Sequence, residues 1–262
     1  MLSVIIDAMH VLDLGVCQHV AGSIIYILVM DTGLTCRFEE KLQTIWPKLV
    51  EQYDNLGTPA GERLSWHGFV RIFENSRSGT PQDPVTLHSK AAVCRNIMPA
   101  LKLVLQNLDS WVDFFDETVF GHALELATHL SNFYETLFAH DFWFPECAAE
   151  DAKDSLQCAG VHHMALCNLM SLRGRTLFYM TEKAHDAQHI ALECVTTRLN
   201  PRFGWNSSDE DYMGRMKQII GSRTRAGGSL RLGVVLFFRW RNRLWIRWSR
   251  RARNEQARGS HQ

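Results

Sequence analysis

The chain has 262 residues, 46% of them hydrophobic and 21% charged, which suffices for one sizeable core or two small ones and excludes a disordered or fibrous protein. The longest apolar stretches, Val20 to Met30 and Leu232 to Phe238, fall short of the roughly 18–20 residues of a membrane span. The N-terminal Met-Leu-Ser-Val-Ile-Ile-Asp lacks the basic region and cleavage site of a secretory signal, so neither a transmembrane helix nor export is expected. A formal net charge of zero conceals a separation: from Arg215 onward there are 13 Lys and Arg against the single acid Glu255, leaving 15 basic and 27 acidic residues before it. Seven scattered cysteines, an odd number, point to reduced thiols in the cytosol or nucleus rather than to a disulfide framework.

In chain order, Leu2 to Ile6 is a short β-branched run that predicts a buried strand ending at Asp7. From Met9 the apolar spacing turns helical and continues to the stop at Asp31-Thr32-Gly33. Phe38 to Tyr53 predicts a second helix, followed by surface connections at Gly57 to Gly61 and Asn75 to Pro84. Lys90 to Leu108, Val112 to Phe138 and His162 to Tyr179 predict further helices, with Phe142 to Asp154 read as a connection leading into a short helix. The tail interleaves Trp240, Trp245 and Trp248 with arginines that include Arg239, Arg241 and Arg243, a pattern suited to phosphate backbones and equally to a solvated or partner-facing basic helix.

Three clusters can carry chemistry. Asp7 and His10 stand one helical turn apart and can share a site, although a strand-end Asp is commonly a cap. Lys183, His185 and His189 include a histidine pair at i and i+4, a spacing suited to a metal or an anion and also to an ordinary structural pair. Asp209-Glu210-Asp211 precedes Arg215 and Lys217, an order that follows the helix dipole and serves a plain N-cap as well. Cys158, His162, His163 and Cys167 have a zinc-like composition, but their spacing matches no standard finger.

Taken together, the clusters carry a resemblance. Asp7-Ala8-Met9-His10-Val11, continued by Gly15-Val16-Cys17, resembles the segment with the second catalytic acid in CACTA (En/Spm)-type DDE transposases of the transposase-21 family. Glu210-Asp211-Tyr212-Met213-Gly214-Arg215-Met216-Lys217, continued by Ser222-Arg223-Thr224-Arg225, resembles that family's C-terminal motif with its third acid, and Lys183 to His189 sits where the family has a similar element. Asp211 stands in place of the usual Arg, and Ala226-Gly227 in place of Pro-Glu.

The resemblance implies a mainly α chain: a remnant of an RNase H-like α/β core, with one short N-terminal strand, and a large α-helical insertion. Its parts would be 1–31 with the second catalytic Asp, the insertion at 32–180, core helices at 181–236 with the catalytic Glu, and a basic Arg/Trp tail at 237–262. The family's first catalytic Asp lies well upstream of the segment matched by Asp7, so the chain is expected to be a C-terminal fragment or a degenerate copy, inactive alone.

Asp7, His10 and Glu210 would be catalytic, with Asp7 and Glu210 holding Mg²⁺ or Mn²⁺. A two-metal site would form only when completed by the upstream acid. Lys183, His185, His189, Arg215, Lys217, Arg223, Arg225, Arg239, Arg241 and Arg243 would contact DNA. The resemblance further implies a nuclear location and DNA as partner, no membrane, and is compatible with a homo-oligomer. Two other classes stay open: a non-enzymatic DNA-binding or interaction protein derived from a transposase, and an unrelated helical metal-binding or adaptor protein.

Overall fold

The computed structural model describes residues 7–31, 36–74, 84–108 and 116–204. The predicted strand at 2–6, Glu210, Arg215, Lys217, Arg223, Arg225 and the Arg/Trp tail with Arg239, Arg241 and Arg243 lie outside the described residues. Within them the protein is mainly α, with an isolated antiparallel bridge between Trp143 and Leu199 and no strand.

The centre is a continuous helix whose first part, Met9–Val16, is π-helical and whose second part is α1 (Cys17–Met30). It is apolar on nearly every side, and such a helix has to be enclosed by others. Enclosure comes from α2 (Phe38–Asn55), α3 (Trp66–Glu74), α4 (Ala91–Gln106), α5 (Glu117–Ala139), α6 (Glu146–Leu172) and α7 (Glu182–Thr197). The expectation that nothing reaches membrane-spanning length needs correction. Met9–Met30 has 22 residues and is long and apolar enough by composition, because the apolar pattern continues upstream of Val20. In this structure 83% of its most apolar window is buried.

Two close approaches seat the central helix. The segment 84–90, which has no regular secondary structure, crosses α1, where the Leu87 amide donates to the Gln18 carbonyl at 3.0 Å and Gln18 Nε2 donates to Ser89 O at 3.2 Å. Gly22 permits this crossing, since a Cβ there would stand 2.9 Å from Leu87 N and 3.0 Å from Thr86 C. Further on, the Phe178 amide donates to the buried Ser23 hydroxyl at 2.8 Å. Near the other end of α1, Trp46, Trp66, Phe69, Phe73, Phe38 and Tyr26 form a chain of ring contacts that joins it to α2 and α3.

Helices α5 and α6 form a hairpin. The buried positions of α5 include Val119, Ala123, Leu126, Leu130, Phe133 and Leu137, and those of α6 include Ala149, Ala152, Leu156, Ala159, His163, Leu166 and Met170. Both rows alternate steps of three and four, the spacing that keeps one stripe facing a neighbouring helix. Asp116 caps α5, accepting from the Thr118 and Val119 amides, and its carboxylate also pairs with Arg173 just beyond the end of α6. At the other end, buried Asn200 donates to the carbonyls of Leu137, His140 and Asp141, groups a helix terminus leaves without partners.

Two boundaries differ from expectation. The segment 142–154 is not mainly a connection: α6 starts at Glu146, runs 27 residues and ends at Leu172 rather than near Tyr179. Its first turns bury alanines, whose small side chains hide the helical period from an apolar count, and Gly174, at φ +67°, follows its end. Helix α3 was not anticipated, being nine residues long and containing Gly68.

Candidate functional site

The Asp7–His10 pair forms as its spacing implies. His10 Nδ1 lies 2.7 Å from Asp7 Oδ2, while Asp7 Oδ1 accepts from the Met9 amide at 3.1 Å. Asp7 is therefore both a helix-start acceptor and the partner of an imidazole. Its side chain is 22% exposed and that of His10 44%, so the pair is reachable from solvent.

A second carboxylate continues the thread inward. Asp13 is completely buried, one turn beyond His10 on the same helix, and receives a hydrogen bond from the Tyr134 hydroxyl at 2.6 Å and another from Arg95 Nη1 at 3.1 Å. Tyr134 also meets the Cys17 thiol at 3.3 Å, so α4, α5 and the central helix converge on one polar cluster inside the apolar core. Burial pushes the Asp13 carboxyl up to about 6, the nearby charge of Asp7 adds to the rise, and Tyr134 and Arg95 pull it back. Burial likewise raises the Cys17 and Tyr134 groups far above their usual ranges, so both stay neutral. Asp13 was missed in the sequence because it interrupts an otherwise apolar pattern. A lone acid inside such a run is itself the available signal, since buried carboxylates need partners.

Helix α7 brings the second motif to the first. Lys183 Nζ donates to the Leu14 carbonyl at 3.0 Å, and a Cβ on Gly15 would stand 2.5 Å from Lys183 Cδ. The absence of a side chain at Gly15 thus lets the lysine lie across the π-helical segment. His185 and His189 share a helix face with their Nε2 atoms 2.9 Å apart, a contact in which one ring nitrogen donates to the other. His185 also borders a cavity of about 550 Å³ between α5, α6 and α7, lined by Leu126, Leu130, Leu156, Gly160 and His163 among others. His163 is 2% exposed, its Nε2 has no hydrogen-bond partner, and burial lowers its basicity to about 4 against a hydrogen bond to the Phe178 backbone.

Of the zinc-like quartet, Cys158 is exposed, His163 is buried, and all the described cysteines are free thiols. His162 instead faces α5, where it meets His122, Glu125 and His129, a cluster the linear spacing within α6 does not reveal. Among the sequence-predicted residues, the described set therefore joins Asp7 to His10, Lys183 to Leu14 and Gly15, and His185 to His189. Comparison with protein-family models, with curated proteins and with solved structures finds no match to this chain.

Proposed function

We propose that the chain is the C-terminal part of a CACTA-type DDE transposase, or a degenerate copy of one, that binds DNA and contributes Asp7 and Glu210 to metal-dependent phosphodiester cleavage and strand transfer. In this reading the helix beginning at Met9 and α7 belong to an RNase H-like core, and 32–180 is a helical insertion. The observation that carries it is the packing of Lys183 on Leu14 and Gly15, which joins two motifs 169 residues apart in the chain. A shared site needs such an approach, although helix packing alone also accounts for it.

Asp7 fits one ligand position of a Mg²⁺ or Mn²⁺ ion. It is a part-exposed carboxylate, and these ions take oxygen ligands. Both its oxygens are already engaged, so His10 would have to share Oδ2 with the ion or yield it. When bound, a metal pair stabilises the attacking and leaving oxygens of an in-line displacement at phosphorus. Asp7 would hold one ion and His10 would orient Asp7. Asp13 does not serve as a further metal ligand, because it is buried and held by Tyr134 and Arg95.

The reading is tested with a protein extended upstream to include a further strand-end Asp, incubated with supercoiled DNA and Mg²⁺ or Mn²⁺. Nicking that disappears on Asp7→Asn is the expected result. Salt-sensitive DNA binding without nicking selects the non-enzymatic derivative, and absence of DNA binding removes both.

A further inference from the structure

The α5–α6 hairpin carries a group of side chains that none of the three motifs uses. Glu125 and His129 lie one turn apart on α5, with His129 Nε2 3.7 Å from Glu125 Oε2, and His162 on α6 faces them with its ring stacked on that of His129 at 5.7 Å. One ligand atom from each of the three residues can be chosen so that all lie within 4.8 Å of one another. His122, one turn before Glu125, places its Nδ1 2.9 Å from His162 Nδ1.

We propose that Glu125, His129 and His162 form a binding site for a zinc ion or a similar nitrogen-preferring divalent ion, with His122 as the positioning residue that orients the His162 ring. The donor set argues for this class of ion. Two imidazoles and a carboxylate suit zinc, whereas Mg²⁺ demands oxygen ligands, so the site is chemically distinct from the one proposed at Asp7. Distances fit as well. Ligands about 2.0–2.1 Å from a tetrahedral ion stand about 3.4 Å from one another, close to the present Glu125–His129 separation. The side chains of Glu125 and His129 are 52% and 25% exposed, free enough to close the remaining gap.

The hairpin supplies the rigidity a metal site needs. Residues 125 and 129 stand on a 23-residue helix, 162 on a 27-residue helix, and Asp116–Arg173 ties their ends together on the His122 side. Three protein ligands leave a fourth position of the ion for water, the arrangement of zinc sites that react rather than merely brace. His122 supports His162 as outer partners support ligating histidines elsewhere, by fixing the ring through its second nitrogen.

Calorimetric titration of the full chain with zinc after chelator treatment, followed by cobalt substitution, tests the proposal. One ion per chain should bind, with the absorption of low-coordinate cobalt. His129→Ala combined with His162→Ala should abolish that binding, and His122→Ala should weaken it by about 10–100-fold. The exposed His185–His189 pair is the competing site, so His185→Ala with His189→Ala should leave the affinity unchanged. Should the double ligand variant fold poorly by circular dichroism, the wild-type chain still decides: zinc should protect His129 and His162 from diethylpyrocarbonate. Equal modification with and without zinc overturns the proposal. So does binding that survives loss of His129 and His162, or that vanishes with His185 and His189.

Discussion

Two buried titratable groups, Asp13 and His163, give the protein opposing responses to pH. Asp13 holds its proton more tightly folded than unfolded, since its carboxyl rises from 3.8 to about 6. Between those values the folded state carries more protons, and stability falls as pH rises, by about 3 kcal/mol in all. For His163 the order reverses. Its folded value is about 4 against 6.5, so the unfolded state binds more protons in that window, and stability rises with pH by about 3 kcal/mol. The two slopes oppose each other in the wild type. Asp13→Asn, which keeps an acceptor for Tyr134, should leave a protein that gains stability from pH 4 to 6.5, and His163→Gln should leave one that loses it. Denaturant titrations in chelator across that window check both; parallel profiles for the two variants would show that neither group titrates as its burial requires. Tyr134→Phe removes one of the two hydrogen bonds seen at the Asp13 carboxylate, and should cost about 1–3 kcal/mol near neutral pH in the same assay.

At the scale of elements, glycine has opposite meanings on two helices. Gly22 on α1 sits under the crossing backbone of Thr86 and Leu87, which cannot swing aside as a side chain does. Gly22→Ala should therefore destabilise by about 1–3 kcal/mol despite the better helix former. Gly121 on α5 faces open space, and Gly121→Ala should stabilise by about 0.5–1 kcal/mol. Thermal melts of the two variants should move in opposite directions, and a shift of the same sign in both would refute the packing at Gly22. The same contrast shows what was legible in advance. The central helix and α2, α4 and most of α5 follow from apolar spacing, because their buried faces carry large apolar side chains such as Leu, Ile, Val and Phe at helical intervals. The start of α6 does not, because Ala149, Ala152 and Ala159 mark its buried stripe by smallness. Asp7 with His10 was readable as an i, i+3 pair. The group of His162 with Glu125 and His129 was not, since it requires knowing that α6 folds back on α5.

For the whole molecule, charge is the feature with the clearest solution consequence. Positions 215–262 hold 13 Lys and Arg against one acid, while 27 acids precede them. If the Arg/Trp tail is the DNA contact, affinity should fall steeply with salt, by about 0.9 in the log–log slope per neutralised phosphate on duplex DNA. Removing the residues after Leu236 should then lower both affinity and slope in titrations at several salt concentrations. If both survive the truncation, the basic residues from Arg215 to Arg225 carry the contact instead.

The position of the central helix in the sequence also sets an order in time. Its polar anchors arrive late: Leu87 for Gln18, Arg95 and Tyr134 for Asp13, Phe178 for Ser23, and Lys183 for Leu14. During synthesis at about 5–20 residues per second, roughly 8–30 seconds separate the completion of Met30 from the arrival of Lys183. For that interval a 22-residue apolar helix lacks part of the enclosure it has in the folded protein. Nascent chains halted before α7 should expose this helix to proteases and bind chaperones that hold apolar segments, and chains halted after Thr197 should not. The central helix is thus made before most of what anchors it, and the speed of translation decides how long it waits.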